Sequence, residues 1–406
     1  GAVNLKVNDG GAGGVIASAI NAAGNIDISA GSSISRSDGD AISLVAKAIT
    51  LSAGTSIGPA GGSVVASTGN IVLNAGTTIT VDTLGASAGS IDINAGAGVS
   101  TGALTAGTSI FVDGAGSLGL GALTASNGVV ALTSTGAASD ISLGGNITAT
   151  NSGLLPTQPG ISVTAGRDIL ISSGTNLGAL GSGGIALLAA RDVNLKVNDG
   201  GAGGVIASTI NAAGNLGITA TAGQIFKSDG DNLSVSAANL GLTAGSNIGA
   251  FGGTITATSG NVALNAPGTV DFTAINAAGP SGNITITSSA ATVTGGTLSA
   301  GQDVTLNLNS SGNVALGSIT AGTGGNGVIA LTNTGAGSIF LNGDLFATNS
   351  GLADNVAAIN VSAAAGINLK SDTDLTATTS GAVKLSAGGA VNLKVNDGGA
   401  GGVIAS

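Results

Sequence analysis

The sequence predicts an all-β chain, wound as a parallel β-solenoid (β-helix) with coils of about 20 residues stacked into a rod. Three observations carry this: a Gly-rich composition with abundant aliphatics, short runs of strict alternation, and repetition at two nested lengths. Gly supplies 74 of 406 residues, and 43% of the chain is hydrophobic. That apolar fraction is too high for a solvated coil. With only 5 Pro and no period of three in Gly, collagen is excluded. The apolar runs, "GGIALLAA" (183–190) among the longest, fall short of the roughly 20 residues a membrane helix needs. An outer-membrane barrel would carry aromatic girdles, whereas this chain has 6 Phe and no Trp or Tyr. Net charge is −10, and the ten Lys and Arg do not cluster, so nucleic-acid binding is not expected.

The long repeat is the block "VNLKVNDGGAGGVIAS", which stands at 3–18, 193–208 and 391–406. Its spacing divides the chain into a first unit (1–192), a second (193–390) and the start of a third (391–406), read as one continuous rod within a longer protein. Between the blocks the units are similar: "GNIVLNA" (69–75) matches "GNVALNA" (260–266), and "ATNSGL" occurs at 149–154 and 347–352.

The short repeat places strand-like runs near Asn25, Lys47, Asn70, Ser90, Ser109 and Val129, 19 to 23 residues apart. Its pattern is Gly, then Asn, Asp or Ser, then an aliphatic, any residue and an aliphatic, as in "GNIDISAG" (24–31) and "GSIDINAG" (89–96). Period-2 geometry turns Ile26 and Ile28 inward and Asn25, Asp27 and Ser29 outward. In the sixteen-residue block, Val3, Leu5 and Val7 would face in, and Asn4, Lys6 and Asn8 out. In 304–309, Val304, Leu306 and Leu308 would face in. A narrow lumen would suit Val, Ile, Leu and Ala and reject aromatics. Gly and Asn belong at the corners, where the chain turns sharply. A lone coil buries too little to offset its backbone entropy, so stacking is obligatory. Insertions such as "GLLPTQPG" (153–160) break the spacing.

Across the coils quoted above, and most clearly in 69–107 and its counterpart 260–301, the sequence resembles the filamentous haemagglutinin-like adhesins exported by two-partner secretion. The resemblance implies a right-handed coil, an extracellular or cell-surface location, and an outer-membrane transporter as export partner. The family's amino-terminal secretion domain is not part of this sequence. The role it implies is that of a stalk in a giant fibrous adhesin, whose partners are further copies of the same repeat and a receptor on a host, cell or glycan. Two other readings stand beside it: an extracellular filament or surface-layer subunit polymerising end to end, and a polysaccharide-binding or depolymerising β-helix.

No catalytic residues and no cofactor are expected. Without His, Cys, Glu or Tyr, acid–base and nucleophilic chemistry reduces to Asp, Lys, Ser and Thr. "SDGD" places Asp38 with Asp40, and Asp229 with Asp231, across a Gly. A hard cation such as calcium could use such a pair, but the expected role is that of turn residues with solvated carboxylates, and these are only weak calcium candidates. Asp372 and Asp374 form the third close pair. Phe111, Phe340 and Phe346 fall on outward positions and are candidate surface contacts. Asn and Thr at matching outward positions are expected to stack in ladders.

Overall fold

The computed structural model describes residues 3–6, 18–36, 42–197, 208–249, 251–289 and 292–395. Every regular element among them is a β-strand. The chain divides into two compact units, Gly1–Asn215 and Leu216–Ser406.

In the first unit each turn of the chain covers three walls, with three short strands or, at Ile57–Ala66 and Ile79–Ala86, with one longer strand spanning two of them, and each pairs in parallel with its counterpart one turn on. Three aliphatic columns result. One runs Ile26, Ile49, Ile71, Ile91, Ile110, Val130, Ile161, Ile185. A second runs Ile34, Ile57, Ile79, Val99, Leu118, Ile141, Ile169, Val193. The third runs Leu44, Val64, Leu84, Leu104, Leu123, Ile147, Leu177, Ile210. All are buried. The columns converge on an apolar lumen, where each aliphatic stacks on the next at the spacing of about 4.8 Å that parallel strands impose. Ile26, Ile71, Ile91 and Ile110 face inward, as the alternation requires.

The second unit repeats the plan. Its first column is Leu216, Leu240, Val262, Ile284, Val304, Ile329, Ile359, Val383. Val304, Leu306 and Leu308 are buried, as read from the sequence.

Coil length is less uniform than the short repeat suggests. One turn takes 19 residues from Ile91 to Ile110, but 31 from Val130 to Ile161. The longer turns carry their excess at a corner, where extra chain leaves the stacked walls undisturbed.

Two expectations about the lumen are corrected. Aromatics do enter it: Phe251 and Phe272 are 2% and 3% exposed. Phe272 pairs in register with Gly295. A Cβ on Gly295 would stand 2.0 Å from Cζ of the Phe272 ring, so the ring occupies space the next turn leaves free. The equivalent positions of the first unit hold Val81 and Thr101, both buried. The lumen thus admits a ring where the residue above gives up its side chain.

The alternation read into the sixteen-residue block also fails. The side chains of residues 3–6 and all of 7–17 lie outside the described residues. In the second copy, however, Asn194 and Lys196 are buried alongside Val193 and Leu195, with Lys196 at 0% exposure. The strand carries a bulge here: Leu170 pairs with Asn194 but Ser172 pairs with Val197, so three steps on one strand meet two on the other. The same slip occurs where Asn368 and Lys370 face Asn392 and Val395, and between Asn4 and Lys6. The extra residue breaks the period of two and re-aims the side chains around it. "Asn-Leu-Lys" is thus a recurrent bulge within the block.

Candidate contact surfaces

Corners are built by the residue that precedes each strand. In the second unit the side chain of Asn239 accepts from the backbone N–H of Asn261 at 2.8 Å. Asn261 accepts from Asn283 at 2.9 Å, Asn283 from Asp303 at 3.0 Å, and Asp303 from Val328 at 2.9 Å. The first unit does the same at Asn70 and Ser90, and at Asn146 and Asn176. This is why Gly is followed by Asn, Asp or Ser in the short repeat. A short polar side chain satisfies the N–H that the corner would otherwise leave open.

One such corner in the first unit has become an ion-pair ladder. Asp140 accepts from the backbone N–H of Asp168, and Asp168 from that of Asp192. Arg167 grips both carboxylate oxygens of Asp140, and Arg191 grips both of Asp168. Asp168 is 4% exposed and lies between the two guanidinium groups. Two-point contact with a planar fork suits Arg and not Lys. The sequence reading missed this cluster. Its signal is the repeated Arg-Asp in "GRDI" (166–169) and "ARDV" (190–193), spaced by one turn. In the second unit the positions before Ile367 and Val391 are Gly366 and Ala390, so the ladder has no counterpart there.

The ladder sets an acid response. The Arg167 side chain holds the Asp140 carboxyl below its ordinary value, against the opposing effect of burial. A folded value lower than the unfolded one contributes stability above the unfolded pKa, and that stability is lost as pH falls through the folded value. Asp271 behaves in the opposite sense: burial raises its pKa, only partly countered by the Phe272 backbone N–H. Its charge costs stability at neutral pH, and protonation removes the cost. In thermal melts, Asp140→Asn is expected to be less stable than the parent at pH 7, the gap closing below about pH 4. Asp271→Asn is expected to be more stable at pH 7, with that advantage also shrinking in acid.

The candidate carboxylate pairs divide. Asp38 and Asp40 lie outside the described residues. Asp229 is buried and its Oδ1 accepts from the backbone N–H of Asp231 at 2.8 Å, closing a turn over Gly230. The Lys227 ammonium donates to the Asp229 carbonyl at 2.8 Å. At least one carboxylate oxygen is therefore used for turn building. Among the described residues, no group of three or more His, Cys, Asp or Glu is placed to hold a metal ion.

The three Phe also divide. Phe111 (38% exposed) and Phe346 (40%) stand on the outer face, while Phe340 is half-buried.

Two further features complete the surface of the first unit, one unseen in the sequence and one falling at the insertion 153–160. One is a groove of about 590 Å³ along the stack. Its floor is the column Ala30, Ala53, Ala75, Ala95 and Gly114, at the carboxyl ends of one column of strands. Ser52, Asn74, Asn94 and Asp113 wall it. The corner beside it needs glycine. A Cβ on Gly54, Gly76 or Gly96 would lie 2.3, 2.1 or 2.1 Å from the carbonyl oxygen of the turn below. The equivalent positions of the second unit are Ala220, Ala244, Ala266, Ser288 and Leu308, so three alanines are kept and Leu308 stands where the first unit has Gly114.

The other is a protruding loop that both units mount in the same way. In the first unit, Asn151 accepts from Gly153 N–H at 2.8 Å, and Ser182 Oγ donates to Asn151 O at 2.7 Å. Ser182 Oγ also accepts from Leu154 N–H at 3.0 Å. In the second, Asn349, Gly351, Ser380 and Leu352 repeat these bonds at 2.9, 2.6 and 3.1 Å. Gly183 and Gly381 take φ of +93° and +92°, with Leu154 and Leu352 packed where a Cβ would be. The tips differ: "LPTQ" (155–158) is uncharged and leaves Leu155 63% exposed, whereas "ADNV" (353–356) carries Asp354.

No family model matches this chain, nor does any curated protein or solved structure.

Proposed function

We propose that this chain is a stalk segment of a fibrous bacterial surface or secreted adhesin, whose work is to extend, stiffen and present. The observation that carries the reading is the in-register parallel stack, built twice on one plan, with three aliphatic columns in the first unit. Such a stack gains length by adding turns, and each turn satisfies the backbone of its neighbour. The lumen is filled by side chains, so binding belongs to the outer faces, corners and loops. On this reading the protein is not an enzyme and needs no cofactor. Its partners are further copies of the repeat, and it works outside the cell after export through an outer-membrane transporter. The filamentous haemagglutinin-like resemblance supports the same role. Circular dichroism of the purified chain is expected to show β-structure with almost no helix, and electron micrographs thin rods. A compact globule in the micrographs would overturn the proposal.

A further inference from the structure

We propose that first units associate side by side through a knob and a groove, the loop tip at 155–158 of one copy seating in the groove over Ala53, Ala75 and Ala95 of another. This rests on the stalk reading, and it names the surface through which stalks would bundle.

The two features lie at opposite edges of the same column of strands. Strand Pro159–Ala165 begins directly after the loop and ends at Ala165, in the column that continues the groove floor through Ser134. Copies placed side by side with their sheets in line therefore bring the loop edge of one to the groove edge of the next. Such a contact is heterologous, so every copy keeps a free knob and a free groove, and association propagates.

The knob is rigid before contact. Leu155 N–H donates to Gln158 Oε1 at 2.9 Å, Gln158 N–H to Leu155 O at 2.9 Å, and Asn215 N–H to Pro156 O at 2.8 Å. Little ordering entropy is left to lose on docking. Leu155 and Pro156 are the apolar surface on offer, and the Ala floor is an apolar receptor for them.

Charge selects between the two tips. Asp113 lines the groove, and the uncharged 155–158 tip can approach it. The 353–356 tip would bring Asp354 toward a like charge. The second unit keeps alanine at 220, 244 and 266 but sets Leu308 where the first has Gly114, so the far end of its floor is filled. One such contact is small beside a stable interface of roughly 1,200–2,000 Å². Repetition along a stalk supplies the remainder by multivalency.

The chain has no cysteine, so cross-linking reads the contact directly. Two full-length variants, Thr157→Cys and Ser52→Cys, are mixed under mild oxidation. Heterodimer formation is expected about tenfold faster than for Thr157→Cys with Ser162→Cys, which sits mid-sheet on the outer face. Adding Leu155→Asp to the Thr157→Cys chain is expected to bring the rate down to that control, as is moving the tip cysteine to Asn355. Circular dichroism of each variant verifies that the fold is intact. Equal rates for groove and control cysteines, or no effect of Leu155→Asp, would overturn the proposal. Rods in the micrographs would still leave the stalk reading standing.

Discussion

Gly295→Thr is expected to destabilise the second unit by about 3 kcal/mol, the upper range for overpacking a dense core. The new Cβ would fall 2.0 Å from the Phe272 ring, which is itself buried. Phe272→Val alone is expected to cost about 2–3 kcal/mol through the cavity it leaves under Gly295. The two together rebuild the Val81–Thr101 arrangement of the first unit and are expected to return to within about 1 kcal/mol of the parent. A denaturant-melt double-mutant cycle measures this, and the coupling should be larger than either single effect. Additive losses would show that the ring and the glycine are not a complementary pair.

Gly76→Ala is the second large effect. Its Cβ would meet the Gly54 carbonyl oxygen at 2.1 Å, and that atom belongs to the backbone of the turn below. A side chain could swing aside; a carbonyl fixed in a corner cannot. The turns must separate locally, and a loss of about 2–3 kcal/mol is expected. Gly217 and Gly241 are the control. They pair with each other in register on the outer face, and nothing lies within 4 Å of a Cβ built on either. Thr at these positions is expected to raise stability by about 0.5 kcal/mol through lower chain entropy and better strand propensity. If Gly76→Ala proved as harmless as Gly241→Thr, close approach at the corner would not be what requires glycine there.

Sequence made one wall of the solenoid plain and left two obscure. Runs such as Ile71–Ala75 and Ile91–Ala95 alternate over five residues, enough to announce a half-buried strand. The other walls contain strands of three, such as Val99–Thr101 and Leu104–Ala106, too short for a period to declare itself. The Asn-Leu-Lys bulge was illegible because an extra residue is visible only against the strand it pairs with. The Phe272–Gly295 fit spans one turn, so a side chain and the void that accepts it stand far apart in the chain. Arg167 and Arg191 were legible in principle, since each is followed by Asp at the corner position. Phe111 and Phe346 were found because outward placement follows from parity alone. The groove was missed because it is a property of five turns together, each contributing an alanine or glycine unremarkable by itself.

The corner relay has a direction. Along Asn239, Asn261, Asn283 and Asp303, every side chain accepts from the turn that follows it. A completed turn therefore displays side-chain acceptors already aimed at positions the next turn will occupy. The two ends of such a stack are chemically unlike at this corner: one offers a side-chain acceptor, the other a backbone N–H.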